Sequence, residues 1–243
     1  MKSILLITSL LFSTCSFAYP KLHVLLTADS DSNIGLAVNI DKANIQKLFA
    51  NIANHFDASV FHSISASALS EKSITSKIES MRIGTDDVVV FYYSGHGDRS
   101  KISADWPVLT PHNKQKIEVL NVITTLNAQV PRQVIVIIDA CNGSFSPLDY
   151  VDRLPASGIN GQAVNRLFKQ FKGSVLVTSS LPGFVSYTIN DNKGSVFTFW
   201  FGKTMNKFLS SESASWTQIL QETKNKVIAN NNAQTPKYII KKL

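Results

Sequence analysis

The chain has 243 residues, of which 44% are hydrophobic and 17% are charged. This composition excludes an intrinsically disordered protein, and the length is sufficient for one large domain with a full hydrophobic core. The formal net charge of +7 indicates a basic surface, but no run of Lys and Arg is interleaved with aromatic residues, so we predict no nucleic-acid partner.

Residues 1–18 have the pattern of an export signal peptide. Lys2 gives a basic start, residues 4–12 form an apolar run, and Ser16 and Ala18 are the small residues that precede a cleavage site after Ala18. The apolar run is too short to span a bilayer, and no later segment is long and apolar enough. We therefore expect a periplasmic or secreted protein without a membrane span.

The cysteine content follows from this cleavage. Cys15 leaves with the signal peptide, and Thr14 before it argues against a lipidated cysteine. Cys141 is then the only cysteine of the mature chain and has no partner for an internal disulfide. A lone thiol in an oxidising compartment is expected to be either buried or used for chemistry.

Apolar runs typical of strands alternate with amphipathic stretches typical of helices along the rest of the chain. Strands are predicted at residues 22–28, 58–64, 86–94, 134–140 and 174–178, with a short edge strand at 236–240. Helices are predicted to begin at Asp41 and to cover residues 70–81, 115–130, 161–171, 194–209 and 215–229. Residues 142–160 are rich in Gly, Pro, Ser and Asp and predict a long loop.

The alternation of strands and helices predicts a single α/β domain over residues 19–243. Such a domain has a mainly parallel central β-sheet flanked by helices on both faces. In sheets of this kind, functional residues gather at the carboxyl ends of the strands.

Two of the predicted strands end next to residues that carry chemistry. The strands at 86–94 and 134–140 are joined by one helix-bearing connection, which predicts neighbouring parallel strands. His96 follows the first strand and Cys141 follows the second. Because neighbouring strands lie about 4.8 Å apart, side chains just beyond their ends come within hydrogen-bond reach of each other.

Thiol catalysis requires such a pair. A free thiol is mostly protonated at neutral pH, and a nearby imidazole raises the thiolate fraction and protonates the leaving amine. We predict that Cys141 is the nucleophile and His96 its proton-transfer partner, with the backbone N–H groups of Gly97 and Cys141 as the oxyanion hole. The alternatives are a buried structural cysteine and a histidine that serves only the glycine-rich turn.

Two motifs carry a resemblance to a known family. Residues 91–97, Phe-Tyr-Tyr-Ser-Gly-His-Gly, resemble the histidine motif of metacaspases and bacterial caspase-like peptidases, and residues 138–141, Ile-Asp-Ala-Cys, resemble their cysteine motif. Residues 34–41, and residues 178–180 with 194–198, are similar to further segments of the family's core. The resemblance implies a caspase-like fold and a cysteine endopeptidase that forms an acyl-enzyme through a Cys/His dyad.

The resemblance also implies a substrate preference. In metacaspases the pocket for the side chain before the scissile bond is acidic, and its residues match Asp41, Ser94 and Asp139. Asp139 lies two residues before Cys141, so both side chains point to the same side of the strand, and a carboxylate there favours Arg or Lys. As alternatives, Asp139 caps backbone N–H groups in the turn, Asp41 is a helix N-cap, and Ser94 is a turn residue.

The sequence departs from the family after the nucleophile. Residues 142–144 are Asn-Gly-Ser, where the family often has Ser-Gly, and no third group that orients His96 is identifiable. This departure motivates an alternative function as a catalytically inactive binding or regulatory module. Export also fits a secreted effector, although the sequence carries no address beyond the signal.

We predict no cofactor and a protein or peptide substrate, with no particular oligomeric state indicated. The remaining histidines show no metal-ligand spacing: His23, His55, His62 and His112. Calcium activates some members of the family through acidic clusters. Asp86, Asp87, Asp149 and Asp152 are weak candidates for such a site, since turn and cap roles explain them.

Overall fold

The computed structural model describes residues 20–141, 158–189 and 194–243. The strands in these ranges are β1 Lys21–Ala28, β2 Ala58–Ile64, β3 Val88–Gly95, β4 Gly97–Arg99, β5 Pro107–Leu109, β6 Ile117–Glu118, β7 Gln133–Ala140, β8 Gly173–Thr178 and β9 Lys237–Lys242. The helices are α1 Gly35–Ala53, α2 Glu71–Ser80, α3 Val119–Ala128, α4 Gly161–Val164, α5 Val196–Leu209 and α6 Trp216–Asn230. The predicted signal peptide and most of the predicted 142–160 loop lie outside the described residues.

The main sheet has the strand order β2-β1-β3-β7-β8-β9. Every neighbouring pair in it is parallel except β8 with β9, which is antiparallel. Strands β3 and β7 occupy the middle of the sheet, and all of their residues are buried. Their continuous runs of β-branched and aromatic residues suit strands that are covered on both faces. The predicted mainly parallel sheet is confirmed.

Helices cover both faces of this sheet. Alternate residues of β3 point in opposite directions, so that Val90 and Tyr92 pack with α1, α5 and α6, while Val89 and Phe91 pack with α2 and α3. Full burial of one such side chain contributes about 1.5–3 kcal/mol of hydrophobic stabilisation. The two apolar layers hold β3 and β7 in place. They therefore also fix where the residues that directly follow these strands begin.

Helix α1 begins earlier than the sequence predicts. It starts at Gly35, with Ile34 as its N-cap residue, so Asp41 lies inside the helix and does not cap it. Asp41 is on the buried face of α1, in the same stripe as Val38 and Ile45. An aspartate in that stripe breaks the apolar pattern, and the periodicity therefore predicted a helix start at the wrong residue.

A small second sheet was absent from the sequence prediction. Strands β4, β5 and β6, which lie between β3 and α3 in the sequence, form this sheet in antiparallel pairs. Ile117 belongs to β6 and not to the predicted helix at 115–130, which begins only at Val119. Strands of two or three residues are too short to show an alternating pattern.

Candidate active site

The ends of β3 and β7 lie side by side in register. Ser94 is opposite Asp139, and Gly95 is opposite Ala140. The next residues are His96 and Cys141, which therefore leave the sheet at equivalent positions on neighbouring strands. The neighbouring-strand prediction is confirmed, and both residues line one cavity.

The same cavity contains the other residues predicted from the acidic-pocket motif. Asp41, Ser94 and Asp139 all contribute to its wall, together with Ser186 and Ser195. The cavity leaves about 20 Å³ for the centres of water-sized groups. One ordered water needs roughly 10–15 Å³ on this measure, so the cavity has room for about one water-sized group.

The backbone around His96 is fixed by close contacts. Gly95 has φ 157°, and a Cβ there would lie 2.5 Å from both the Cβ of Asp29 and the Oη of Tyr93. The phenol of Tyr93 donates a hydrogen bond of 2.8 Å to the carbonyl oxygen of His96. Only glycine fits between these groups, which explains one of the two glycines that flank His96.

The His96 imidazole has a hydrogen-bond partner that the sequence did not indicate. Its Nε2 lies 2.7 Å from the Oδ1 of Asn33, in the connection between β1 and α1. The contact follows from the strand order: Ala28 at the end of β1 pairs with Ser94 on β3, so the turn after β1 lies beside the residues after β3. A sequence pattern without the strand order does not reveal which residue of the 29–34 turn faces His96.

The Cys141 side chain is buried and contacts a second chain segment. It is 7% exposed, and its Sγ lies 3.4 Å from both the backbone N and the backbone O of Ser186. The N–H donates to the sulfur, and the thiol donates to the carbonyl. Sulfur therefore has a hydrogen-bond donor and an acceptor on the side of the cavity formed by Ser186.

The close approach of Gly97 to Cys141 concerns the predicted oxyanion hole. A Cβ on Gly97 would lie 2.6 Å from the carbonyl oxygen of Cys141 and 2.8 Å from the Cβ of Ala140. The backbones of Gly97 and Cys141 thus approach each other closely. The role of their N–H groups stays a prediction.

Asp139 is held by a dense set of hydrogen bonds. Its Oδ1 accepts from the hydroxyl of Ser186 at 2.7 Å. Its Oδ2 accepts from the hydroxyl of Ser195, and from the backbone N–H and the hydroxyl of Thr198 at 3.1 and 2.7 Å. The capping alternative therefore applies in a different form, because the N–H that Asp139 caps belongs to α5 and not to its own turn.

Asp41 meets fewer donors. The hydroxyl of Ser94 donates to its Oδ2 at 2.9 Å, and the backbone N–H of Ser195 donates to its Oδ1 at 2.8 Å. Each oxygen of Asp41 thus accepts one hydrogen bond from protein and keeps further acceptor capacity. The three residues matched to an acidic pocket form one connected network with Ser195.

Comparison with known proteins identifies the family. The sequence model of the caspase domain matches residues 37–243. The chain belongs to the caspase-domain family. The fold agrees, because the chain superposes on the crystal structure of caspase-1 from Spodoptera frugiperda with a TM-score of 0.62 and 14% sequence identity, over 91% of this chain and 86% of that one. No curated protein sequence matches the chain.

Membership in the caspase-domain family confirms the family and fold that the histidine and cysteine motifs indicated, and it makes the chain a cysteine endopeptidase. His96 and Cys141 both fall inside the matched range, as does Asp41. Asn33 lies just before it, which is a further reason why family motifs did not reveal this residue.

The surroundings of Asp41 and Cys141 in this caspase-domain site favour the uncharged form of both side chains. Burial and, to a smaller extent, the negative charge of Asp139 raise the pKa of Asp41 to about 8, against the hydrogen bonds from Ser195 and Ser94. Burial also raises the pKa of the Cys141 thiol, with smaller increases from Asp139 and Asp98, and the Ser186 N–H opposes them. Both groups are thus held in their neutral forms at pH 7.

The acidic residues considered for calcium have protein partners where the structure describes them. Asp87 accepts from the backbone N–H groups of Lys21 and Gly84 at 2.9 and 2.7 Å, and Asp86 pairs with Arg132 at 2.6 Å. Asp149 and Asp152 lie outside the described residues. Within the described ranges, no group of three or more His, Cys, Asp or Glu is placed to hold a metal ion.

No helix among residues 20–141, 158–189 and 194–243 is long and apolar enough to cross a membrane.

Proposed function

We propose that this caspase-domain protein hydrolyses peptide bonds through a Cys141/His96 dyad and prefers substrates with Arg or Lys before the scissile bond. The observation that carries the proposal is that His96 and Cys141 leave neighbouring strands at equivalent positions and share a cavity with two buried carboxylates. The dyad supplies the chemistry, and the carboxylates supply the preference.

The reaction begins at the buried thiol. Because its pKa is raised, Cys141 is protonated in the free enzyme, and His96 acts as a general base that takes the Sγ proton. The thiolate attacks the carbonyl carbon of the scissile bond. Backbone N–H groups of Gly97 and Cys141 stabilise the negative charge that develops on the carbonyl oxygen.

The imidazolium then completes the acylation step. It returns its proton to the nitrogen of the leaving amine as the C–N bond breaks, which leaves a thioester on Cys141. Water loses a proton to His96 and attacks the thioester carbonyl. The C–S bond breaks, the acid product departs, and the thiol regains the proton from His96.

The preference for a basic side chain follows from the charge of the cavity. A guanidinium or ammonium group stabilises the ionised form of Asp41, whose oxygens each retain acceptor capacity, and it pairs with the charge of Asp139. An acidic side chain meets the charge of Asp139 in a buried site and cannot stabilise the ionised form of Asp41, so it is repelled. The six groups that donate hydrogen bonds to Asp41 and Asp139 are all hydroxyls or backbone N–H groups, and they orient the carboxyl groups without adding a positive charge.

A panel of fluorogenic peptides tests activity and pocket charge together. The peptides differ only in the residue before the cut, which is Arg, Lys, Gln, Glu or Asp. We expect turnover of the Arg and Lys peptides, far weaker turnover of the Gln peptide and none of the acidic peptides, with all activity lost in Cys141→Ala. Activity that survives Cys141→Ala, or that favours acidic peptides, contradicts the proposal.

The inactive-module alternative gives a different result in the same panel. A binding module cleaves none of the peptides, yet the wild-type protein still binds a basic peptide in the cavity. Folding of the wild-type protein and of Cys141→Ala, followed by circular dichroism, shows that absence of turnover does not come from a misfolded preparation.

We also propose export, on the pattern of residues 1–18 alone. Expression of the full chain with a tag after Leu243 is the test. We expect the tagged protein outside the cytoplasm with its N-terminus at Tyr19. Retention in the cytoplasm with Met1 intact contradicts the proposal.

A further inference from the structure

The side chain of Asn33 stands next to the proposed dyad without being part of it. Its Oδ1 lies 2.7 Å from the Nε2 of His96. This is the only hydrogen bond of the Asn33 side chain within the part of the chain that the structure describes. Asn33 itself is exposed, so its contact with the imidazole does not come from burial in the core.

The turn that carries Asn33 is fastened to the strand that leads to His96. The backbone N–H of Asp29 donates to the carbonyl of Ser94 at 2.9 Å. The hydroxyl of Ser32 donates to the carbonyl of Asp29 at 2.8 Å, and the N–H of Gly35 donates to the carbonyl of Ser32 at 2.9 Å. Both ends of the turn are thus tied down, and the backbone that carries Asn33 is positioned relative to β3.

The chemistry of an amide oxygen determines which imidazole nitrogen carries a proton. A carbonyl oxygen accepts hydrogen bonds and donates none, so the Nε2 of His96 must be the donor. In a neutral imidazole only one nitrogen carries a proton, which leaves Nδ1 with its lone pair. Since Nε2 is occupied by Asn33, Nδ1 is the nitrogen that remains for the thiol.

We propose that Asn33 is a positioning residue that holds His96 with its proton on Nε2, so that Nδ1 exchanges a proton with Cys141. The proposal rests on the peptidase function proposed above and deepens it. Asn33 touches neither substrate nor sulfur and acts only through His96. In the acylation step Nδ1 takes the Sγ proton and later delivers it to the leaving amine, while the Nε2–H bond to Asn33 persists.

The contact also favours the step that creates charge. When Nδ1 is protonated the ring becomes an imidazolium, and the hydrogen bond from Nε2–H to Asn33 becomes charge-assisted and stronger. The amide therefore stabilises the protonated ring more than the neutral ring. Transfer of a proton from a buried thiol is unfavourable, and this stabilisation opposes that cost.

The test compares three variants in the same turn. Asn33→Ala removes the acceptor. Asn33→Asp keeps an acceptor of similar shape and adds a negative charge. Ser32→Ala removes the hydroxyl that ties the turn to Asp29 and leaves the His96 contact in place, so it serves as the control for a loosened turn.

The first measurement needs no turnover. In protein labelled with ¹⁵N, the His96 signals are assigned by their absence in His96→Ala and followed through a pH titration. We expect neutral wild-type His96 to carry its proton on Nε2, Asn33→Asp to raise the midpoint of the titration, and Asn33→Ala to lower it. A proton on Nδ1 in the wild-type protein, or a midpoint that neither Asn33 variant moves, overturns the proposal.

The second measurement uses the basic peptide. We expect Asn33→Ala to lower kcat by about 10-fold to 100-fold with KM little changed, because misplacement of a reacting group acts on the chemical step. Asn33→Asp should recover part of this loss and shift the acidic limb of the pH–rate profile to higher pH, because His96 must be neutral to act as the general base. A loss in Ser32→Ala as large as that in Asn33→Ala, with the same shift of the midpoint, overturns the proposal in favour of a structural role for the turn.

The two proposals fail in distinguishable ways. If the wild-type protein cleaves no peptide, the peptidase function is wrong, and the titration still decides where His96 holds its proton. If the protein cleaves peptides but kcat and the titration midpoint are unchanged in Asn33→Ala, the peptidase function stands and the role of Asn33 is wrong.

Discussion

Asp41 and Asp139 accept hydrogen bonds from the same residue, Ser195, although Asp41 lies inside α1 and Asp139 lies at the end of β7. Both side chains are almost fully buried. Two carboxylates in such a site repel each other when both are ionised, and either a proton or a bound cation relieves the repulsion. A substrate cation and a proton therefore compete for Asp41.

The proposed preference for basic residues depends on Asp139. In Asp139→Asn we expect kcat/KM for the Arg and Lys peptides to fall by roughly 10-fold to 150-fold, because a hydrogen bond to a charged partner contributes about 1.5–3 kcal/mol. The Gln peptide should be affected far less. The measurement is kcat/KM for the peptides side by side, which separates pocket charge from general damage.

Asp98→Asn is the matched control for this change. Asp98 is exposed, and its charge contributes to the raised pKa of Cys141, yet it does not line the cavity. The selectivity for basic over neutral peptides should be retained in Asp98→Asn. An equal loss of selectivity in the two variants indicates a long-range effect of charge and counts against a role for Asp139 in the pocket.

The raised pKa of Asp41 predicts how stability depends on pH. In the unfolded chain Asp41 loses its proton near the ordinary value of about 3.9, whereas in the folded protein it keeps the proton until about pH 8. The folded state thus binds more protons between these values. Its contribution to stability is complete below about pH 4 and is lost as the pH rises through about 8.

Urea denaturation between pH 5 and pH 9 measures this effect. The contribution of one such group has a slope of up to about 1.4 kcal/mol per pH unit. Asp41→Asn cannot titrate, so its free energy of unfolding should fall less steeply with pH than that of the wild-type protein. Parallel curves for the two proteins contradict a protonated Asp41 at neutral pH.

The buried thiol predicts slow alkylation. Since burial raises its pKa, Cys141 carries less thiolate at pH 7 than a free cysteine, and iodoacetamide should modify it more slowly. The rate should rise as the pH increases above the ordinary range for a thiol. Mass spectrometry of the peptide that contains residue 141, sampled between pH 6 and pH 10, gives the profile, and Cys141→Ala gives the background.

The same profile distinguishes two ways in which His96 could assist. As a general base during turnover, His96 contributes roughly 10²-fold to 10⁴-fold to kcat, and His96→Ala lowers kcat by that factor while alkylation at high pH is retained. Rapid alkylation at pH 6 that disappears in His96→Ala indicates instead a thiolate–imidazolium pair formed before substrate binds, which contradicts the protonated resting thiol.

The sequence was sufficient to predict the parts of the fold that repeat a strong pattern. The strands β3 and β7 were recognisable because residues 88–91 and 134–138 are all apolar, and their single helix-bearing connection implied that they are neighbours. From that step alone His96 and Cys141 were expected at one edge of the sheet. The helices predicted over residues 70–81 and 215–229 are also found, as α2 Glu71–Ser80 and α6 Trp216–Asn230.

The parts that were missed depend on contacts between distant segments. Asn33 reaches His96 only because β1 lies beside β3, and a turn residue carries no periodicity that would single it out. Asp41 resembled a helix N-cap because an aspartate in an apolar stripe is unusual. Its position became intelligible only when Ser94 and Ser195 supplied donors to its carboxylate.

The contact between Gly95 and Tyr93 predicts that the loop carrying His96 does not tolerate a side chain at position 95. A Cβ there meets two atoms at 2.5 Å, the Cβ of Asp29 and the Oη of Tyr93, so Gly95→Ala must displace both of these residues or the backbone that leads to His96. We expect peptidase activity to be lost and the free energy of unfolding to fall by about 1–3 kcal/mol. Gly158→Ala is the control, since a Cβ at Gly158 meets nothing within 4 Å among the residues that the structure describes. Tyr93→Phe separates loss of the hydrogen bond from the steric clash. Alone, it removes the hydrogen bond to the His96 carbonyl, worth about 0.5–1.5 kcal/mol. Combined with Gly95→Ala, it removes the Oη that the new Cβ would meet. Activity in the double variant above that of Gly95→Ala alone shows that the clash acts through the phenol. Wild-type activity in Gly95→Ala itself is the result that contradicts the close packing beneath His96.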